Sequence, residues 1–178
     1  RSTLFAAALF SALLPADPVC ADDIVILGEA SADSRKTQAA PDGNMREYAT
    51  LQDALDDGAI TGGDTVYFGA GGHGGLTLRG LDFDSPVTLT SAPGNRAHFD
   101  FILVGKSRNI TVKGVNIWPT DGQDAMGAVL RTLTNTDAIT LEDLDIRSVE
   151  AASDYPGWTE DEWLANKHNG ILLQGTNS

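Results

Sequence analysis

Apolar and polar residues alternate in short runs along most of the chain, and one such run is written twice. Residues 109–117 read Asn-Ile-Thr-Val-Lys-Gly-Val-Asn-Ile, and residues 138–146 read Ala-Ile-Thr-Leu-Glu-Asp-Leu-Asp-Ile. Setting Ile110 on Ile139 gives an offset of about 29 residues, within the range of periods that marks solenoids. Alternation with a period of two is a strand signal, so each copy predicts two short strands with a bend between them, at Gly114 or Asp143. A second apolar element interleaves with the first, at residues 101–107, 127–132 and 170–178. A unit of this kind cannot bury its apolar edge alone and must stack on copies of itself. The third copy stops at Ser178, where another strand pair is due, which predicts that this is the front part of a longer protein.

Upstream the pattern changes. Residues 24–27 (Ile-Val-Ile-Leu) predict a first strand, and the polar stretch 28–46 with Pro41-Asp42-Gly43-Asn44 predicts a loop. In residues 50–58, Leu51, Ala54 and Leu55 share one helical face, Thr50 with Asp53 resembles a capping box, and Gly58 is a stop signal. One short amphipathic helix ahead of many strands predicts a cap over the open end of a solenoid, whose strand edges would otherwise invite aggregation. The turn 61–64 leads into a strand at 65–68, and further strands are expected at 76–78, 87–90 and 99–104. No second helical pattern separates these strands, which argues against βαβ units. Gly69, Gly71 and Gly74 satisfy the letters of a dinucleotide-binding glycine motif, but the residues that follow alternate like a strand instead of opening a helix.

Residues 4–14 form an uncharged apolar run after Arg1, followed by Val19-Cys20-Ala21 and then Asp22-Asp23. This reads as a secretory signal peptide over 1–21 with cleavage after Ala21, and it places the protein outside the cell or in the periplasm. The run is too short for a membrane span, which needs roughly 20 apolar residues. The absence of an initiating Met suggests truncation at this end too. Cys20 is the chain's one cysteine, so a mature segment starting at Asp22 has no disulfide framework. A net charge of −13 argues against nonspecific nucleic-acid binding, which needs a basic surface. The expected organisation is therefore a leader at 1–21, a strand, loop and capping helix at 22–63, and incomplete solenoid coils at 64–178.

The order of capping helix, Gly-Gly-Asp-Thr-Val-Tyr-Phe at 62–68, Gly-His-Gly at 72–74, Ser-Pro-Val-Thr-Leu at 85–89 and Asn-Ile-Thr-Val coils resembles a known group. It is similar to the N-terminal part of right-handed parallel β-helix proteins of the pectate-lyase-like superfamily, and is closest to the alginate-lyase and chondroitinase-like branch. The resemblance runs from about Ile24 to Ser178. It implies an all-β fold of three-strand coils in which the 170–175 element is a floor strand under a substrate cleft. It also implies that loops from third strand to first strand wall that cleft. Those loops are 118–126 and the much longer 147–169, and a connection of that length is often functional. The bend that often carries an asparagine stack in such proteins holds Gly114 and Asp143 here.

A polysaccharide lyase of this kind needs a base and a cation to offset a uronate carboxylate. The candidates are Arg131, Lys167 and His168, beside Gln174. Setting Leu130 on Leu173 aligns Arg131 with Gln174 and points both outward. His98 is expected at the place of His168 one repeat earlier, which favours a structural role for both; solvated surface charge is the competing reading of Arg131 and Lys167. Tyr155, Trp158 and Trp163 in the long loop, with Trp118 at the start of the other, suit stacking on sugar rings. The competing reading makes residues 158–164 a small helix packing its own apolar face down. Asp121 and Asp124 in the shorter loop would be needed for a glycoside hydrolase, which works with two carboxylates across a cleft. No cofactor is expected. The acidity and the family leave room for calcium, although no loop has the Asp-x-Asp-x-Asp-Gly spacing.

The expectation is a secreted carbohydrate-active β-helix, a lyase on an acidic polysaccharide if it is an enzyme. The alternatives are a non-catalytic surface or adhesion β-helix, or a glycoside hydrolase on the same scaffold. Oligomeric state is not legible in the pattern.

Overall fold

The computed structural model describes residues 22–27, 45–94, 96–120 and 127–175, with residues 152–154 described by backbone alone. The expected leader, the loop signal Pro41-Asp42-Gly43-Asn44, and Asp121 and Asp124 lie outside the described residues. The chain starts with β1 (Asp23–Ile26), β2 (Arg46–Tyr48) and the helix α1 (Leu51–Asp56). Four coils follow. The first is β3 (Thr65–Phe68), β4 (Gly71–Gly72) and β5 (Gly75–Arg79), and the second is β6 (Asp82–Ser91), β7 (Ala97–Phe99) and β8 (Phe101–Gly105). The third is β9 (Arg108–Lys113), β10 (Asn116–Ile117) and β11 (Leu130–Thr132), and the fourth is β12 (Asp137–Glu142), β13 (Asp145–Ile146) and β14 (Ile171–Leu172).

Each strand pairs with its counterpart one coil away, in parallel. The result is three sheets along the stack. Sheet A runs β2-β1-β3-β6-β9-β12, sheet B runs β4-β7-β10-β13, and sheet C runs β5-β8-β11-β14. This is an all-β parallel β-helix. The repeated stretch pairs as its alternation predicts, Ile110 with Ile139 and Val112 with Leu141. Inward residues form continuous rows: Val66, Leu89, Val112 and Leu141 in sheet A, and Leu76, Ile102, Leu130 and Ile171 in sheet C. A slip of one residue would turn an entire row outward, so burial fixes the register.

Burial declines along the stack. Ile110 and Val112 are buried, whereas Ile139 and Leu141 are only half-buried, contrary to the expectation that both would be sealed. The reason is position: β12 ends the order of sheet A, so its apolar row is covered on one side. In sheet C, Leu130 is 0% exposed and Ile171 is 52% exposed for the same reason.

At the other end, Thr50 and Asp53 make the capping box reciprocally, through side chain and backbone. Ala54 is buried, and Leu51 and Leu55 pack on the core, so the helix covers part of the first coil. The expected continuous strand at 99–104 is instead two strands meeting at Asp100. Its buried carboxylate accepts from Thr120 N at 3.1 Å and Thr120 Oγ1 at 2.8 Å, which turns the chain from sheet B into sheet C. A two-residue strand of Gly71 and Gly72 carries sheet B in the first coil, where no side chain announces it.

The bend between β9 and β10 is left-handed at Gly114 (φ 64°), and the next coil holds Asp143 there (φ 49°). The same repeat puts Asn109 (φ 58°) and Ala138 (φ 50°) in the left-handed region. Asn109 offsets that cost with a 2.6 Å bond from Nδ2 to the carbonyl of Phe83, while Ala138 has only a methyl group. Left-handed backbone costs an ordinary L-residue about 1–2 kcal/mol, part of which glycine returns through its freer unfolded chain. Ala138→Gly is therefore expected to stabilise the protein by about 0.5–1 kcal/mol, seen as a rise in Tm. An unchanged or lower Tm would mean that residue 138 does not hold this conformation.

Candidate functional site

Two loops leave sheet B and return to sheet C, following β10 and β13. The first starts at Trp118, which is 8% exposed and so is not a free stacking face. Its ring stacks on His98 with centroids 4.6 Å apart, and His98 Nε2 donates to the Trp118 carbonyl at 2.8 Å. On Trp118 lies the Arg147 guanidinium, 5.1 Å from the ring centroid. Arg147 is fixed by Asp145 through Nε–Oδ1 at 2.9 Å and Nη2–Oδ2 at 2.5 Å, and by the Glu150 carbonyl. The hydrogen bond to Asp145 raises the guanidinium above its ordinary pKa. His98, Trp118 and Arg147 thus make a column at the corner of sheets B and C. Sequence reasoning missed Arg147; its spacing of two from Asp145 was the available signal.

His98 does not share a place with His168. His98 lies in β7, paired with Asn116, whereas His168 ends the long loop at the entry to sheet C, with its backbone N–H 3.5 Å from Ser148 Oγ. Only Asp100 separates β7 from β8, but the whole long loop separates β13 from β14, so counting back from sheet C reaches different elements.

The long loop carries a 3-10 helix at Ala152–Gly157 and the helix α2 at Glu160–Asn166. Thr159 and Glu162 close a capping box, and the bonds from Thr159 lower the Glu162 pKa. The two helices bring three rings together. Tyr155 stacks on Trp163 at 5.4 Å, and Trp158 meets Tyr155 edge-on at 4.9 Å and Trp163 at 5.0 Å. The small helix expected near 158–164 is present at residues 160–166, but it does not pack its apolar face down: it buries no residue, and Trp163 (47%) and Leu164 (53%) stay exposed. Tyr155 and Trp158 are half-buried in the cluster, so Trp163 offers the most open ring.

On sheet C, Arg131 pairs with Leu172, and Leu130 with Ile171. The expected pairing of Leu130 with Leu173 is thus off by two residues, a shift that preserves the face. Gln174 still points outward and accepts from Arg131 Nη2 at 3.2 Å. Thr132 ties the same segment down, accepting from Gln174 N at 2.9 Å and donating to the Gln174 carbonyl at 3.3 Å. Arg131 Nε is buried and has no hydrogen-bond partner among the described residues. Lys167 follows α2 and is exposed, and His168 is half-buried. Asn169 then joins the floor, donating from Nδ2 to Gly127 O at 2.7 Å and accepting from Val129 N at 2.9 Å.

The structure therefore brings Arg131 to Gln174, and Tyr155 to Trp158 and Trp163. Among the described residues, no side-chain hydrogen bond or ring contact joins these two groups, and Lys167 is tied to the aromatic group through its backbone, its N–H donating to the Trp163 carbonyl at 3.0 Å. A guanidinium is a cation with N–H donors and no acceptor, which suits Arg131 to offsetting a carboxylate. Among the described residues no three His, Cys, Asp or Glu side chains group as a metal site. The described helices include none long and apolar enough to cross a membrane.

A cavity of about 540 Å³ lies between α1 and the first two coils, lined by Leu51, Leu55, Phe68, His73, Leu76 and Phe99 among others. Burial pushes the His73 pKa below its usual value, and its Nε2 donates to the Gly69 carbonyl at 2.9 Å. The Gly-His-Gly turn gave no sign of this space, whose lining comes from α1, β3, β5 and β7, elements far apart in sequence.

Comparison with models of known protein families, with curated proteins and with solved structures found no match in any of the three.

Proposed function

We propose that this chain is part of a secreted, carbohydrate-active β-helix of the pectate-lyase-like kind, led by a signal peptide at 1–21, and that it binds an anionic oligosaccharide. The observation that carries the reading is Arg131 on the outward face of sheet C. Its Nη2 is held by Gln174, and the remaining N–H donors on Nη1 and Nη2 suit a sugar carboxylate, whereas Nε is buried and lies out of reach of one. The aromatic cluster of Tyr155, Trp158 and Trp163 supports it, because it stands on the loop that feeds β14, the strand paired with that of Arg131, and leaves Trp163 open to stack on a sugar ring. If the protein is a lyase, Arg131 offsets the uronate charge and Lys167 or His168 takes the proton beside it.

The test is calorimetric titration of the protein with short oligouronates, followed by a scan for the absorbance of an unsaturated product. Arg131→Ala should weaken binding about ten- to a hundredfold, the range for hydrogen bonds to a charged group. Trp163→Ala should weaken it about tenfold, and neither should move the Tm by more than a few degrees because both sites are surface-facing. Unchanged affinity in both variants removes the site. Binding without product places the protein among non-catalytic glycan binders.

A further inference from the structure

Asp64 carries a carboxylate that is 1% exposed. Its Oδ2 accepts from Thr61 N at 2.6 Å and Thr61 Oγ1 at 2.9 Å. Its Oδ1 accepts from Asp22 N at 2.8 Å. All three donors are neutral, and among the described residues no cationic side chain forms an ion pair with Asp64. An ionised carboxylate withdrawn from water normally needs a counter-charge. The turn that presents it has little room to move, since a Cβ on Gly62 would lie 2.8 Å from Ser85 N. Asp22 is also held in place, by Thr65 N donating to its carbonyl at 3.3 Å and by Arg46 on its own carboxylate at 3.3 Å.

Asp22 is the residue that follows the expected cleavage point after Ala21. We infer that Asp64 is a built-in receptor for the mature amino terminus, and that cutting the Ala21–Asp22 bond places an α-ammonium against its Oδ1. The inference rests on the signal-peptide reading above. The step is a hydrolysis: water gives its hydroxyl to the Ala21 carbonyl carbon and a proton to the Asp22 nitrogen. That nitrogen takes a further proton from solvent to become the ammonium. A neutral amide donor is thereby exchanged for a charged one at the same atom, and the first strand, one residue on, is anchored more firmly in the processed chain. Processing and final stability are thus coupled.

Intact mass of the secreted protein gives its first residue, and a start other than Asp22 overturns the inference together with the leader reading. With the Asp22 start established, its melting is compared with that of the same chain retaining Ala21, in which the ammonium is displaced by one residue. The Asp22 form should melt higher by about 3–6 °C, and the difference should vanish in Asp64→Asn. Acylation of the α-amine, followed by mass, should be slower in the Asp22 form than in the Ala21 form. This second readout needs no variant that risks unfolding. Equal melting and equal acylation of the two forms, with the Asp22 start confirmed, overturn the inference and leave the leader reading intact. A melting difference that persists in Asp64→Asn overturns it too.

Discussion

Ile110→Asp is expected to leave the protein unfolded at room temperature, whereas Thr111→Asp one residue along should change its stability by less than about 1 kcal/mol. Ile110 is 1% exposed and sits between Val87 and Ile139 in the inward row of sheet A. A carboxylate there faces apolar side chains on both neighbouring coils. Such a group costs several kcal/mol or forces local unfolding, a large share of a total near 5–15 kcal/mol. Thr111 pairs with Thr88 and Thr140 on the outward face and stays in contact with water. Circular dichroism and thermal melts of the two variants separate the faces. Equal damage from both would mean that this strand does not alternate between core and solvent.

Ile102→Ala should cost about 2–5 kcal/mol, and Ile171→Ala less than about 1 kcal/mol, although both residues are isoleucines in one row of sheet C. Ile102 is 1% exposed, with Leu76 on one side and Leu130 on the other. Deleting its methyl groups leaves a void that neighbours on both coils can fill only in part. Ile171 is 52% exposed and paired on one side, by Leu130. Truncating it removes little buried surface and opens no cavity. Denaturant titrations of the two variants measure the gradient directly. Similar losses would mean that coils along the stack are equally covered.

The solenoid was legible because the repeat that encodes it is made of side chains. Ile110, Val112, Ile139 and Leu141 declare both the alternation and the offset, and parallel stacking is the arrangement that sets Ile139 on Ile110 and Leu141 on Val112 in two inward rows. What stayed hidden is carried by backbone or by distance in sequence. Gly71 and Gly72 form a strand with no pattern to read. Asp100 splits an apolar run into two strands because its carboxylate is held by Thr120, a contact that alternation cannot express. The site was legible in kind more than in detail. The aromatic loop and the Arg131–Gln174 pair were visible, yet Trp118 proved to be buried between His98 and Arg147. A tryptophan at the start of a loop reads the same whether it stacks on a ligand or on the protein's own side chains.

Paired cysteines across β9 and β12 give the most direct measurement of the stack. Thr111 and Thr140 are Cα partners on the outward face, and adjacent strands lie about 4.8 Å apart, within the span of a disulfide. Thr111 and Glu142 are offset by two residues, which puts their Cα atoms about 8 Å apart, beyond that span. With Cys20 replaced by Ser, mild oxidation should link Thr111→Cys to Thr140→Cys in nearly all molecules and leave Thr111→Cys with Glu142→Cys mostly reduced. Efficient linkage of the second pair and not the first would contradict the parallel register on which the coils, their inward rows and the outward face of Arg131 all depend.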